Sequence, residues 1–315
     1  MADGSTMAVS APAAISPGPR QVGSLKQLGR RRSMAALALC APLIVLILGL
    51  KLYPTLYAVY LAMLDRKMNN FVGLDNFAFM LSRPSFQLVI FQSVLFAVSA
   101  VILKAFLGFV LAHLMHNIRG RNERVWRGLL LVPWVIPLSL STLTWWWLFD
   151  PSYSAFNWTL KGMGFEEIPF LGTVWNARLS VIAVNVWFGA PFFMIMYLAA
   201  LKSVPDQLYE AAAIDGANAV QKLLFITIPM MRNIILITVL YSLIVTFADF
   251  DIVRILTNGG PQDGTHLFAT YAFTVGIQSG NIPRGASVSL FMFPILATLA
   301  FFVLRDVMKR NKEMA

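Results

Sequence analysis

The chain alternates between long apolar segments and short polar connections, and this pattern predicts a membrane protein. Six segments contain few charged residues over about 20 residues, the length that a helix needs to cross the hydrocarbon core of a bilayer. They lie at about 34–53, 86–112, 128–149, 181–201, 232–256 and 285–304. We therefore predict an all-α polytopic membrane protein with six transmembrane helices.

Composition agrees with this interpretation and excludes several other classes of protein. The 315 residues are 58% hydrophobic and 13% charged, whereas soluble domains are about 25% charged. The net charge of +10 does not indicate nucleic-acid binding, because the basic residues flank the apolar segments. Cys40 is the single cysteine, and His113 and His116 have no cysteine or acidic neighbour. We therefore expect no disulfide, metal or cofactor in this chain.

The distribution of Lys and Arg predicts the orientation in the membrane. The connections that would share one side with the N-terminus carry 16 of these residues, against 6 on the other side. The positive-inside rule then places both termini in the cytoplasm. We divide the chain into a disordered cytoplasmic tail (1–33), a transmembrane domain (34–304) and a cytoplasmic tail (305–315). The first apolar segment is too long for a signal peptide and lacks a small-residue cleavage site.

A polar, alanine-rich segment at 205–229 interrupts the apolar pattern between the fourth and fifth predicted spans. Pro205 suits the first turn of a helix, because its missing N–H is unsatisfied there anyway, and Asp206 favours the positive end of the helix dipole. Gly216 can take the left-handed conformation that ends a helix. We therefore predict a short helix, a bend at Gly216 and a second short helix over 217–224, all on the cytoplasmic side.

This segment resembles the EAA loop of ABC-importer permeases in Glu210-Ala211-Ala212, Gly216 and Ile228-Pro229. It departs from the family pattern at Thr227 and Ile228, where the family's leucine position holds Ile228. In that family the loop is a cytoplasmic coupling helix that sits in a cleft of the ATPase subunit. The alternative is an ordinary amphipathic connector. The residues to which the resemblance assigns ATPase coupling are Tyr209, Glu210, Ala211, Ala212, Ile214, Asp215, Gly216 and Ala217.

A second signature follows the fifth predicted span. Leu256-Thr257-Asn258-Gly259-Gly260-Pro261 contains a Gly-Gly-Pro chain reversal, which suits the outer membrane surface. This signature lies one predicted span after the 205–229 segment and has Asp251, Thr265 and Tyr271 nearby. The combination resembles permeases of carbohydrate ABC importers of the maltose and glycerol-phosphate type. Permeases of this pattern serve sugars, polyols, glycerol phosphodiesters and sulfonated sugar derivatives.

The resemblance implies a type I ABC-importer permease fold in the bacterial cytoplasmic (inner) membrane, among membrane lipid. It also implies a second related permease subunit, two ATPase subunits and an extracytoplasmic solute-binding protein. The chain has no Gly-Lys pair and hence no G-x-x-x-x-G-K-[ST] phosphate loop. We therefore expect it not to be an enzyme, with ATP and Mg bound by the partner ATPase.

A sugar pathway needs aromatic planes and a few placed polar groups. Pro133, Pro137, Pro191 and Pro294 interrupt predicted spans, and such breaks either line a pathway or only kink a helix for packing. Trp145-Trp146-Trp147 is interpreted as an interfacial anchor. The candidates for the substrate pathway are Asn185, Trp187, Phe188, Tyr241, Phe247, Asp249 and Asp251.

The charged residues inside spans have simpler explanations from sequence alone. Asp251 and Arg254 are three residues apart and predict a local ion pair. Lys51 and Lys104 are expected to extend toward the membrane surfaces. The rival function is a secondary transporter or channel driven by an ion gradient. Asp249 and Asp251 are its only support, and no clear internal repeat is visible.

Overall fold

A computed structural model describes Met34, Ala36, 38–118 and 121–313, so the predicted tail at 1–33 lies outside the described residues. Contacts between residues divide the chain into two units, one up to Tyr57 and one from Ala58 onward. The first unit contributes most of an apolar helix whose side chains are almost all exposed. The second unit holds the buried clusters, the 205–229 segment and the cavities described below.

The described residues are almost all helical, as the sequence predicts. In chain order the helices are α1 (Ala38–Ala62), α2 (Asp75–Leu81), α3 (Pro84–His116), α4 (Arg121–Val135), α5 (Leu138–Phe149), α6 (Ala155–Gly162), α7 (Val174–Lys202), α8 (Asp206–Ile214), α9 (Ala219–Phe247), α10 (Asp251–Leu256), α11 (Phe268–Phe273), α12 (Ile282–Leu290) and α13 (Met292–Glu313).

Five of the described helical segments are long and apolar enough to cross a membrane, and a sixth span exists if the bent pair α4 and α5 is counted as one. This pair bends by 87° at Pro137, which occupies the N-cap position of α5. The prediction that Pro191 interrupts its span is wrong, because Pro191 lies inside α7, which is unbroken. Neighbouring helices tolerate such a proline by satisfying the freed backbone groups.

The fifth predicted span is shifted toward the N-terminus in the structure. α9 begins at Ala219 and ends at Phe247, whereas the sequence predicted 232–256. The helix stops at Ala248, and Asp249 Oδ1 accepts a hydrogen bond from Ile252 N (3.2 Å), which caps the separate short helix α10. A carboxylate at a helix start satisfies an otherwise unpaired backbone N–H.

The packing is centred on α3 and α7, whose backbones approach closely. A Cβ atom at Gly108 would lie 2.3 Å from Cβ of Phe193, so only glycine permits this crossing. Tyr197 and Met231 are buried beside it. A second buried cluster joins α3 to α5, α7 and α10, and a third joins α2 and α3 to the residues after α10.

The turn that follows α10 is fixed by long-range hydrogen bonds. Arg178 Nε donates to the Gly264 carbonyl (2.8 Å) and Gln92 Nε2 donates to the Asp263 carbonyl (3.1 Å). The buried His266 lies beside Asp263, and burial lowers the pKa of this histidine below its ordinary value. The turn therefore ties α3 and α7 to the chain after α10.

The predicted ion pair between Asp251 and Arg254 is not formed. Arg254 instead donates to Asn258 Oδ1 and lies over the ring of Phe273, 4.9 Å from its centroid. A planar guanidinium stacks well on an aromatic face. Arg254 is therefore held by its own helix end and by α11.

Candidate functional site

In the 205–229 segment the first helix and the bend at Gly216 form as predicted, whereas the second helix is not short, because it begins at Ala219 and continues as α9 to Phe247. Gly216 has φ +78°, a value that L side chains rarely adopt. The Ala217 N–H donates to the Ala212 carbonyl (2.8 Å), a bond that closes the end of α8. Asn218 and Gln221 then form a reciprocal capping box at the start of α9.

The surface of this segment exposes large apolar side chains among polar ones. Ile214 is 88% exposed and Phe225 is 76% exposed, and Glu210 is also exposed. A cavity of about 360 Å³ opens under the bend. The Tyr209 side chain is directed toward the start of α9, where its hydroxyl lies 2.9 Å from Thr227 Oγ1. The segment therefore presents exposed apolar side chains while Tyr209 fixes it to the base of α9.

Two ion pairs tie helix ends near this segment. Lys202 at the end of α7 contacts Glu123 of α4 at 2.6 Å, and Arg232 of α9 contacts Asp306 of α13 at 3.1 Å. These contacts link α7 to α4 and α9 to α13, next to the two ends of the 205–229 segment.

A cavity of about 130 Å³, called the polar cavity, is lined by residues of α3, α4, α5, α7, α9 and α10 and by Asp249. Its lining combines aromatic side chains with polar groups, as a small-molecule site requires. The residues that line it are Lys104, Trp134, Leu138, Asn185, Phe188, Gly189, Phe192, Phe193, Tyr241, Ser242, Val245, Thr246, Asp249 and Ile252.

Two hydrogen bonds connect the polar groups of this cavity across helices. Asn185 Nδ2 of α7 donates to Asp249 Oδ2 (2.9 Å), and Lys104 Nζ of α3 donates to Thr246 Oγ1 of α9 (2.8 Å). The prediction that Lys104 extends to the membrane surface is wrong, since its side chain is 4% exposed. α3 continues to His116, past the predicted end at 112, so Lys104 lies too far from the helix end to reach it.

The structure separates the seven pathway candidates into two groups. Four of them line the polar cavity: Asn185, Phe188, Tyr241 and Asp249. Phe247 is instead buried in the packing cluster of α2 and α3, and Trp187 packs edge-on against Trp145. Asp251 is the first residue of α10 and does not line the cavity.

The Trp145–Trp147 triplet also divides. Trp146 and Trp147 are exposed, as an interfacial anchor requires. Trp145 contacts Phe149 and Phe156 and lines an apolar cavity of about 660 Å³ between α5, α6 and α7. The anchoring interpretation therefore fits two of the three tryptophans.

Lys104, Gly189 and Thr246 line the cavity but were not among the sequence candidates. A Cβ atom at Gly189 would lie 2.4 Å from Lys104 Cδ, so a side chain there would require the lysine stem to move. The sequence shows Lys104 only as a lysine inside an apolar span. Its contact with a glycine on another helix can be seen only in the folded protein. Within 38–118 and 121–313, no three His, Cys, Asp or Glu side chains group as a metal site would require.

Comparison with known proteins gives consistent matches. The family described as binding-protein-dependent transport system inner membrane component matches residues 104–312. The trehalose/maltose transport system permease protein MalF of Thermococcus litoralis is 32% identical over 235 residues, which are 75% of this chain and 79% of that protein. The sulfoquinovosyl glycerol transport system permease protein SmoG of Agrobacterium fabrum is 28% identical, with 89% and 92% covered.

A solved structure shares the fold. The crystal structure of a bacterial ABC transporter involved in the import of the acidic polysaccharide alginate contains a chain that matches with a TM-score of 0.75 at 21% identity. The match covers 91% of this chain and 99% of that chain. It establishes the architecture of an ABC-importer permease.

Proposed function

We propose that this chain, which belongs to the family of binding-protein-dependent transport system inner membrane components, is the permease subunit of an ATP-driven importer for a sugar or sugar derivative. The observation that carries the proposal is the match over most of the chain to proteins named as permeases for trehalose and maltose or for sulfoquinovosyl glycerol. The 205–229 segment and the Gly-Gly-Pro turn resemble those of ABC-importer permeases, which points to the same class of transporter.

In this proposal the chain forms half of the translocation pathway and a second, related permease forms the other half. Two ATPase subunits and an extracytoplasmic solute-binding protein complete the assembly. Both termini and the 205–229 segment face the cytoplasm, in agreement with the Lys and Arg distribution. The protein lies in the bacterial inner membrane.

The 205–229 segment couples the chain to the ATPase. Exposed apolar side chains such as Ile214 and Phe225 are typical of a surface that a partner covers. Closure of the ATPases around ATP would move α8, and the ion pairs of Lys202 and Arg232 would carry the movement into α4, α7, α9 and α13. Coupling of this kind requires that both partners favour the same one of two conformations.

The polar cavity is the proposed substrate position on this half of the pathway. Phe188 and Tyr241 offer planes for the apolar faces of sugar rings, while Asn185 and Asp249 offer groups for hydroxyls. ATP and Mg²⁺ bind to the separate ATPase, because this sequence has no phosphate loop. A transporter driven by an ion gradient remains the rival, with Asp249 as its carboxylate.

Gentle purification from the native membrane separates these two functions. The proposal expects an ATPase subunit to co-purify with this chain, and expects uptake in reconstituted vesicles to require ATP. Uptake that continued without ATP, from a preparation with no ATPase subunit, would establish the rival.

The contact itself is tested by the charge reversal Glu210→Arg. Glu210 is exposed on α8, so the change leaves the fold of this chain intact while it alters the proposed docking surface. We expect the amount of co-purified ATPase and the ATP-driven uptake to fall about tenfold, which corresponds to a loss of about 1.4 kcal/mol at the docking surface. Glu166→Arg is the matched control, since Glu166 is also exposed, in the connection after α6. Equal effects of both reversals would exclude specific docking at α8.

A further inference from the structure

The buried ammonium group of Lys104 needs an explanation beyond helix packing. Lys104 lies 12 residues before the end of α3 at His116, about 18 Å along the helix axis at 1.5 Å per residue. A charged side chain this deep in a membrane is costly, and such residues usually pair with one another or line a cavity. Lys104 lines the polar cavity.

The structure accommodates this lysine at a specific place. Gly189 of α7 carries no side chain where the Lys104 stem crosses it, since a Cβ atom there would lie 2.4 Å from Lys104 Cδ. Thr246 accepts one hydrogen bond from the ammonium group. An ammonium has three donors, and none of the ion pairs within 4.0 Å among the described residues joins Lys104 to Asp249. Donors of Lys104 therefore remain for another acceptor at the cavity.

Asn185 provides the complementary group. Its amide nitrogen donates to Asp249, while its carbonyl oxygen, Oδ1, is buried with no hydrogen-bond partner in the protein. The whole residue is 6% exposed. Leaving a buried acceptor unpaired costs about 1–3 kcal/mol, so such groups call for a partner. A ligand in the cavity that donates a hydrogen bond would supply it.

The charges of the lining residues indicate which ligands fit. Lys104 and Asp249 carry opposite charges, and the other lining residues carry none near neutral pH. The cavity wall is thus neutral overall, and a ligand with a net charge would bring an uncompensated charge into apolar surroundings. Hydroxyl groups both donate and accept. A neutral molecule with neighbouring hydroxyls matches the donors of Lys104 and the acceptor of Asn185.

We propose that Lys104 is a specificity-determining residue, which donates to one hydroxyl of a neutral polyhydroxylated substrate while Asn185 Oδ1 accepts from another. This inference rests on the proposed function, because it takes the polar cavity as the position of the transported sugar. It adds that the site selects neutral over acidic sugars.

The experiment uses the complete transporter, with its binding protein and ATPase, reconstituted in vesicles. The probes are maltose, trehalose, a glucuronic-acid disaccharide and the set of maltoses or trehaloses that each lack one hydroxyl. We expect the wild type to import a neutral sugar in preference to the acidic one. The variant Lys104→Met should have a KM for the neutral sugar about tenfold or more above that of the wild type, because it lacks a charged hydrogen bond. For one deoxy sugar the wild type should show a raised KM, whereas Lys104→Met should treat it like the parent sugar.

Controls separate this role from a structural one. Lys51→Met removes an exposed lysine of α1 and should leave KM and the response to deoxy sugars unchanged. Lys104→Gln keeps an uncharged donor and should give an intermediate KM, which also serves if Lys104→Met fails to assemble. A lower amount of assembled transporter with wild-type KM and deoxy response would overturn the inference.

Two further outcomes distinguish this inference from the function on which it rests. ATP-driven import of the acidic sugar alone would overturn the inference and leave the proposed function standing. Import of none of the sugars would count against the proposed function, and against the inference with it.

Discussion

The 205–229 segment and the polar cavity are stabilised in different ways. The bend of the segment depends on bonds between residues close in sequence, such as Ala217 to Ala212 and the reciprocal pair of Asn218 and Gln221. The cavity depends on bonds between residues far apart, such as Lys104 to Thr246, 142 positions away. The first feature can form on a single connection, whereas the second exists only when α3, α7 and α9 are packed together.

This difference agrees with two different roles. A locally determined bend can move as a unit without losing its own hydrogen bonds, and its apolar side chains are exposed for a partner. The cavity changes whenever the helices that form it shift, because each polar pair joins two parts of the bundle. In the proposed mechanism, the 205–229 segment therefore moves as a rigid unit, and this movement changes a cavity whose geometry depends on helix packing.

The largest effect is expected where the helices leave no space. Gly189→Leu places a side chain into the Lys104 stem and fills part of the polar cavity. Overpacking costs about 1–3 kcal/mol, and displacement of Lys104 from Thr246 adds a charged hydrogen bond of about 1.5–3 kcal/mol. We expect ATP-driven uptake to fall roughly a hundredfold, measured in vesicles at a fixed amount of transporter.

Gly128→Leu is the matched control for this change. Gly128 is also a helical glycine, in α4, but a Cβ atom there would meet nothing within 4 Å. Its uptake should remain near that of the wild type. If Gly189→Leu also transported normally, the polar cavity would not be the substrate position.

An intermediate effect is expected at the bend. Gly216→Val puts a β-branched residue at φ +78°, where an L side chain costs at least about 1–2 kcal/mol. We expect uptake to fall about tenfold while ATP hydrolysis by the assembled transporter persists, because α8 then docks at a changed angle. The measurement is the ratio of sugar imported to ATP hydrolysed.

Gly164→Val separates strain from coupling. Gly164 has φ +84°, and a Cβ atom there would likewise meet nothing within 4 Å, but it lies after α6, away from the proposed ATPase surface. Its ratio should equal that of the wild type. The same loss of coupling at Gly164 would mean that strain in any connection uncouples the transporter.

The contrast also explains what the sequence could predict. The bend was predictable because proline, aspartate and glycine act through their own backbone, and α8 ends just before Gly216 as expected. The polar cavity was only partly predictable. Asn185, Phe188, Tyr241 and Asp249 were found from their chemistry, but the partner of Lys104 depends on the register in which α3 meets α7 and α9, which no local pattern contains.

The errors have the same origin. Phe247 was assigned to the pathway as an aromatic plane for a sugar ring, yet α9 ends there and the ring lies in the packing cluster of α2 and α3. Pro191 was expected to break α7, but tertiary packing keeps that helix continuous. In both cases the residue type indicated the polarity and shape of the side chain correctly. The direction in which the side chain points can be seen only in the folded protein.

The smallest effect is expected at the start of α9. Asn218→Ala removes the side-chain oxygen that accepts a hydrogen bond from Gln221 N (2.9 Å), and loss of an N-cap costs about 1 kcal/mol. Since Gly216 still sets the bend, we expect uptake to fall only about two- to fivefold, with the ratio of import to hydrolysis unchanged.

Thr173→Ala, which removes the exposed N-cap of α7, is the matched control and should leave uptake closer to the wild type. A loss at Asn218 as large as that at Gly216 would show that the cap, and not the glycine, determines the orientation of α8.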